Sequence, residues 1–269
     1  MKRNWKKGFW YGSVPGREPL DKFKALKDAG FHGIEPPMDL DVETLLRARD
    51  ATGVLIHSVV CASKSRHLAS ASAADRLAAV EGVKQALREA KQYGAHSVLA
   101  VAGGVNEATT YAENYARTQE GFRQAVPLAE ELGVKIAFEN VWNNFLLSPL
   151  EAARYVDEFN SPAVGWQFDV GNVVAFGWPE HWIRILGPRI VHVHIKEFSR
   201  KKMAAGGPYA GFNVEFLEGD NDWPAVMKAL DDIGYSGWVT VEPAYEPKGV
   251  SPEARLRVIS EKLDQILAL

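Results

Sequence analysis

Amphipathic segments that end in glycine alternate with short apolar runs along most of this chain. The glycines are Gly30, Gly53, Gly94, Gly133, Gly187 and Gly234, and an apolar run follows each within a few residues. Glycine tolerates the left-handed conformation that commonly closes a helix, so the spacing predicts helix, cap and strand in repetition. The runs predict strands over residues 32–35, 54–61, 96–102, 134–139, 190–195 and 238–242. Two more complete the set: 8–13 at the start, and 164–169, entered through Asn160-Ser161-Pro162 instead of a glycine.

The intervening segments carry helical signatures. Residues 73–93 place Leu77, Val80, Leu87 and Ala90 near one face. Residues 114–132 carry Phe122, Val126 and Leu132, with Pro127 expected to kink the helix. Ser148 and Ser251 each precede a proline and read as N-caps, and Asp222 reads as the cap of a helix opening at Trp223. Eight strands alternating with helices predict a mainly parallel sheet, and eight such units in 269 residues match an α/β fold of the (β/α)8 TIM-barrel type, a single domain over residues 1–269. The competing doubly wound sheet would carry a G-x-G-x-x-G turn after an early strand, and the sequence has none. The longest stretch read as irregular is 199–221, expected as a lid or binding loop.

The barrel gives the polar residues at strand ends a meaning, because strand C-termini converge on one face and that face holds the active site. Glu139, Asp169, His194 and Glu242 end the fifth to eighth predicted strands. Carboxylate oxygens with one imidazole suit one divalent cation such as Mn²⁺, Mg²⁺ or Co²⁺. His192 lies two residues before His194, so both can face the interior at different depths, His192 in a core or supporting role. Glu35 and His57 read either as contacts to substrate hydroxyls or as structural ion-pair partners. Trp142, Asn143 and Asn144, with Trp10 and Tyr11, suit a sugar, aromatic faces taking C–H faces and amides taking hydroxyls. Arg200, Lys201 and Lys202 read either as a solvated loop or as the holder of an anionic group.

Composition narrows the class. A formal charge of −3 offers no basic field for a nucleic-acid backbone. The single cysteine, Cys61, excludes an intrachain disulfide and a cysteine-cluster metal site, and its apolar neighbours predict a buried, inert thiol. No run approaches the length of a membrane span, and the basic start lacks a signal-peptide core, so a cytoplasmic protein is expected.

Several motifs in order, Phe138-Glu139-Asn140, Phe168-Asp169-Val170-Gly171-Asn172, His192-Val193-His194-Ile195-Lys196-Glu197, Glu218-Gly219-Asp220-Asn221-Asp222-Trp223 and Gly234-Tyr235-Ser236-Gly237-Trp238-Val239-Thr240-Val241-Glu242, resemble the sugar phosphate isomerase/epimerase family of the xylose isomerase-like TIM-barrel superfamily. The resemblance spans nearly the whole chain and extends to ketose 3-epimerases and inosose dehydratases. It implies that Glu139, Asp169, His194 and Glu242 bind Mn²⁺, or Mg²⁺, Co²⁺ or Zn²⁺ in its place. It also implies that Glu139 and Glu242 are the acid/base pair, inverting a carbon next to a carbonyl through a metal-stabilised enediolate. Arg200, six residues after His194, falls where the 3-epimerases place a substrate-contacting arginine. Phe145 and Asn172 stand where those enzymes carry a glutamate and a histidine, so the sugar contacts differ from theirs. The alternative implied activity is hydro-lyase chemistry of the inosose dehydratase type, with His57 or Lys196 as the acid. A small sugar substrate and a homo-oligomer are the implied partners, with Trp142, Glu35, His57, Lys196 and Asn172 around the substrate.

Overall fold

The computed structural model describes residues 3–269. Among the described residues there are nine parallel strands: β1 (Lys6–Trp10), β2 (Gly33–Glu35), β3 (Leu55–Ile56), β4 (Ser58–Val60), β5 (Ser97–Ala100), β6 (Lys135–Glu139), β7 (Val164–Asp169), β8 (Ile190–Ile195) and β9 (Trp238–Val241). They form one sheet in the order β3-β2-β1-β9-β8-β7-β6-β5-β4. Helices follow the strands, giving a TIM-barrel-like α/β fold.

The count is nine and not the eight expected, because the run over 54–61 breaks at His57. The His57 N–H reaches Ile34 O in β2, while its carbonyl accepts from His96 N at the entry to β5. The run thus changes partner at one residue, β3 pairing with β2 and β4 with β5. Val60 N to Pro36 O (2.8 Å) and Met38 N to Val60 O (3.0 Å) bridge most of the gap, so the sheet nearly closes on itself.

Local signals place the helices. Asp222, Ser148 and Ser251 cap their helices through side-chain oxygens that accept backbone N–H groups three residues on. Gly53 and Gly94 close the helices Val42–Thr52 and Ala73–Tyr93 with φ of 77° and 75°. The helix expected over 114–132 is two helices, Tyr111–Arg123 and Val126–Leu132. Thr110 opens the first with a capping box, and Pro127 begins the second instead of kinking a continuous one, since the missing N–H costs nothing in a first turn. The stretch over 199–221 is more regular than expected, containing the helix Arg200–Gly206 and a 3₁₀ segment Pro208–Phe212. The first strand ends earlier than expected, and Tyr11–Ser13 forms a 3₁₀ turn. Cys61 is fully buried, and burial pushes its thiol up to about 12, the inert state anticipated. Among the described residues, no helix is long and apolar enough to cross a membrane.

Register positions the site. Glu139 pairs with Gln167, Asp169 with His194, and His194 with Thr240. From β6 to β7 and from β8 to β9 the polar residue stands two places beyond its neighbour's partner. The strand stagger of a barrel therefore brings Glu139, Asp169, His194 and Glu242 to one mouth. Alternation carries Gln167, His192 and Thr240 into the layer beneath. That layer is polar and crowded. The His57 ring stacks on Trp238 at 4.2 Å, and its Nε2 lies 2.7 Å from Thr240 Oγ1. A Cβ on Gly8 would stand 2.6 Å from both His57 and Thr240, so β1 must be bare there for the histidine to fit.

Burial pushes the pKa of His57 well below its ordinary value and lowers that of His96. The fold thus favours the neutral form of both rings, most strongly for His57, where the unfolded chain protonates them at acid pH. The His57 ring should therefore contribute unfolding free energy that rises with pH up to about 6.5, by as much as about 1.4 kcal/mol per pH unit, while the raised proton affinities of Glu139 and His194 act in the opposite sense. Urea denaturation from pH 5 to 7 checks this, with His57→Gln expected to make the slope of unfolding free energy against pH less positive than the parent's; an unchanged slope would refute it.

Candidate metal centre

Each residue of the site is delivered by a strand end. Glu139 closes β6, Asp169 closes β7, His194 lies in β8, and Glu242 directly follows β9. One donor atom from each lies within 4.8 Å of all the others. His194 Nδ1 is 2.9 Å from Glu139 Oε1 and 3.6 Å from Glu242 Oε2. Asp169 is fully buried; its Oδ1 accepts from Asn172 N at 2.8 Å. Its Oδ2 is buried without a hydrogen bond and faces Lys196 Nζ at 3.0 Å. Lys196 Nζ also lies 2.6 Å from Glu242 Oε2.

The titration behaviour follows from this crowding. Burial, reinforced by the charges of Glu242 and Asp169, pushes Glu139 up to about 7 despite its contact with His194. Burial also raises Asp169, against the pull of Lys196. Glu242 is driven the other way: Lys196 and His194 outweigh its desolvation and hold it well below the usual carboxylate range. Lys196 and His194 are both raised by the surrounding carboxylates against their own desolvation.

The donor set fits a divalent cation. Bonds of about 2.1–2.3 Å place ligand atoms roughly 3–4.5 Å apart around one ion, which the mutual 4.8 Å limit accommodates. Hard oxygens and one imidazole match Mn²⁺, Mg²⁺ or Zn²⁺ better than a soft ion. The buried Asp169 Oδ2 meets only the Lys196 ammonium at 3.0 Å, so it already draws on positive charge of the kind a cation would supply.

The residues expected around a substrate divide into two groups. Lys196 lies within the cluster, and Asn172 lies beside it, its N–H on Asp169 and its side-chain amide donating to Asn140 O at 2.9 Å. Trp142 stands next to them, its indole N–H donating to Asn172 O at 2.8 Å and its ring against Phe198, Tyr209 and Phe212. Glu35 and His57 are buried in the layer below the mouth. Arg200 is turned away: its guanidinium donates to Val174 O and Gly177 O, both at 2.9 Å, and lies over Trp178.

Two residues given no role by the sequence hold the site. Asn140 Oδ1 accepts from Asp169 N (3.0 Å) and Trp166 Nε1 (3.1 Å), while its Nδ2 donates to Asp169 O (2.7 Å). Glu197 accepts from Leu217 N and Trp223 Nε1, both at 2.8 Å, and so ties the excursion after β8 to the barrel. Gln167 was legible in principle, standing two residues before Asp169 on the same strand face.

The model of the xylose isomerase-like TIM barrel family matches residues 23–265. The chain belongs to that family. An inosose dehydratase from Clostridium perfringens is 27% identical over 153 residues, covering 52% of this chain and 50% of the relative. The chain thus matches about half the length of that relative. A D-psicose 3-epimerase from Agrobacterium fabrum is 24% identical over 238 residues, covering 82% of this chain and 75% of the relative. The crystal structure of a D-tagatose 3-epimerase-like protein superposes with a TM-score of 0.81 at 21% identity, covering 98% of this chain and 97% of the other. The last comparison bears on the fold alone.

A family member with this donor set should be stabilised by a divalent ion. Mn²⁺ at a hundredfold excess over its Kd should raise the unfolding free energy by about 2.7 kcal/mol. Thermal unfolding with and without Mn²⁺ measures this, and Asp169→Asn should abolish most of the increment. A melting temperature unmoved by Mn²⁺, Mg²⁺, Co²⁺ and Zn²⁺ would exclude the site.

Proposed function

We propose that this protein is a Mn²⁺-dependent sugar epimerase or isomerase that moves a proton at the carbon beside a ketose or keto-sugar carbonyl. The observation that carries the reading is the placement of Glu139 and Glu242 2.9 and 3.6 Å from one imidazole nitrogen, with Asp169 beside them. Kinship with the xylose isomerase-like barrels, and partial similarity to a psicose 3-epimerase, support it.

A divalent ion held by Glu139, Asp169, His194 and Glu242 supplies Lewis-acid polarisation of the carbonyl oxygen. The chain's own residues do the rest. Glu139 and Glu242 each have two carboxylate oxygens, so one can bind the ion while the other takes or returns a proton. The glutamates come from strands separated by β7 and β8, so they approach a substrate from different sides. Return to the same carbon from the other side inverts it, and return to the neighbouring carbon interconverts aldose and ketose. Lys196 offers hydrogen-bond donors to a substrate oxygen, and Trp142 offers an apolar face at the mouth. A cavity of about 560 Å³ beside Trp142, lined also by Arg66, His67, Gly103, Asn106 and Asn143, has room for the distal part of a sugar.

One observation favours a second reading. Lys196 Nζ stands 2.6 Å from Glu242, so a base and a proton donor for a departing hydroxyl are already paired. That arrangement serves a hydro-lyase, in line with the partial similarity to inosose dehydratases.

Incubation of the Mn²⁺-loaded protein in D₂O with ketoses, ketose phosphates, 3-keto sugars and inosose, followed by NMR, tests both. Deuterium at one carbon of an intact sugar is the expected result. Glu139→Gln and Glu242→Gln should each slow it by roughly 10²–10⁴-fold. Loss of water with formation of an unsaturated ketone would instead establish the hydro-lyase. Neither change in any compound would count against the proposal.

A further inference from the structure

We infer that Glu35 is a positioning residue for the cation: from beneath the site it takes the Nε2–H of His194 and so leaves Nδ1 free to bind metal. The inference rests on the metal reading above and deepens it.

Glu35 ends β2 and is fully buried, as is His194. A carboxylate in such a place is costly unless it is paired and hydrogen-bonded. Its partner stands on β8, beyond β1 and β9 in the sheet. Glu35 Oε2 lies 2.7 Å from His194 Nε2, and Glu35 Oε1 accepts from Gln167 Nε2 at 3.1 Å. His194 thus has two different sides. Nδ1 looks toward Glu139 and Glu242 at the mouth, and Nε2 looks down at Glu35.

A neutral imidazole has one N–H and one lone pair, and a metal needs the lone pair. An ionised carboxylate can only accept. Its contact with Nε2 therefore selects the tautomer that carries the proton there, and the lone pair is left on Nδ1. The same bond fixes the plane of the ring. This is the arrangement by which a carboxylate behind a ligating histidine orients it and raises its basicity.

One contact opposes this choice. Gln167 Nε2 is 2.6 Å from His194 Nε2, and an amide N–H would favour a lone pair at that nitrogen. A charge-assisted bond to a carboxylate is roughly twice as strong as a neutral one, so Glu35 prevails. Gln167 Oε1 has no partner among the described residues. Turning the amide over would relieve that contact but set its oxygen against Glu35 Oε1, so the bond from Gln167 to Glu35 favours the amide as placed.

Glu35, His192 and His194 also form a group whose donor atoms all lie within 4.8 Å of one another. A second cation there would take both nitrogens of His194 and leave the ring without a proton. Glu35 as hydrogen-bond acceptor needs one cation only.

Two measurements test the inference. Zn²⁺-loaded, ¹⁵N-histidine-labelled protein, read by long-range ¹H–¹⁵N NMR, should show His194 with the proton on Nε2 and the metal on Nδ1. The reverse assignment would overturn the inference whether or not any variant folds. Calorimetric Mn²⁺ titration should give a stoichiometry of one, with Glu35→Gln about tenfold weaker and Glu35→Leu up to about a hundredfold weaker than the parent. A purely structural role would lower the variants' melting temperature in the absence of metal and leave affinity within about twofold, which would count against positioning. A stoichiometry of two would also overturn it. If the parent chain binds no metal, the metal reading fails and this inference with it.

Discussion

The organisation of this barrel depends on the cost of holding several carboxylates close together out of water. Glu139, Asp169 and Glu242 meet at the mouth, and Glu35 lies beneath them. Like charges so placed cannot all stay ionised unless positive charge is supplied. Two side chains, one in β8 and one directly after it, supply it here. His194 stands between Glu35 and Glu139, and Lys196 bridges Asp169 and Glu242. A bound divalent ion would meet the same need at the mouth while leaving the lower pair, Glu35 and His194, in place.

That electrostatic demand shapes the packing below. The barrel interior is not filled by aliphatic layers alone. His57, Gln167, His192 and Thr240 occupy it, linked by contacts such as the 2.7 Å approach of both His57 Nε2 and His192 Nε2 to Thr240 Oγ1. The hydrophobic stabilisation comes instead from the outer layer, where Phe23, Phe122, Phe138, Phe168 and Trp166 are fully buried between strands and helices. Polar interior and apolar shell are two consequences of one alternation: successive residues of a strand face opposite ways. In β7, Gln167 and Asp169 face in while Trp166 and Phe168 face out.

The mouth is framed by elements tied to the same strands. Asn140 joins the end of β6 to the backbone of Asp169, so two candidate ligands are held by one side chain. Glu197 anchors Leu217 and Trp223, and the segment between carries Tyr209 and Phe212 over Trp142. Arg200 spends its guanidinium on the carbonyls of Val174 and Gly177, which fixes this segment to the turn after β7. The excursion is thus a braced wall of the cleft, with short helical pieces, and not a loose loop.

Much of this was legible in the linear sequence. Glycine caps, N-cap residues and apolar runs are local signals, and they located the strands and most helix ends. The four strand-end residues could be grouped because a parallel barrel sends every strand's C-terminus to one face, whatever the detailed register. Local signals were weaker where partners compete. The break at His57 arises because one residue bonds two different strands, and the division after Arg123 reflects a proline that starts a turn as easily as it bends one.

The chain by itself determined the fold class, the strand ends and the chemical types gathered there, because these follow from periodicity and from side-chain chemistry. Only the tertiary structure decided what each group faces. Glu35 and His194 are 159 residues apart, and nothing local relates them. Lys196 enters the carboxylate cluster and Arg200 leaves it, though both follow β8 within a few residues. Those outcomes depend on strand stagger and on which carbonyls and carboxylates happen to lie within reach, and such distances exist only once the sheet has curled.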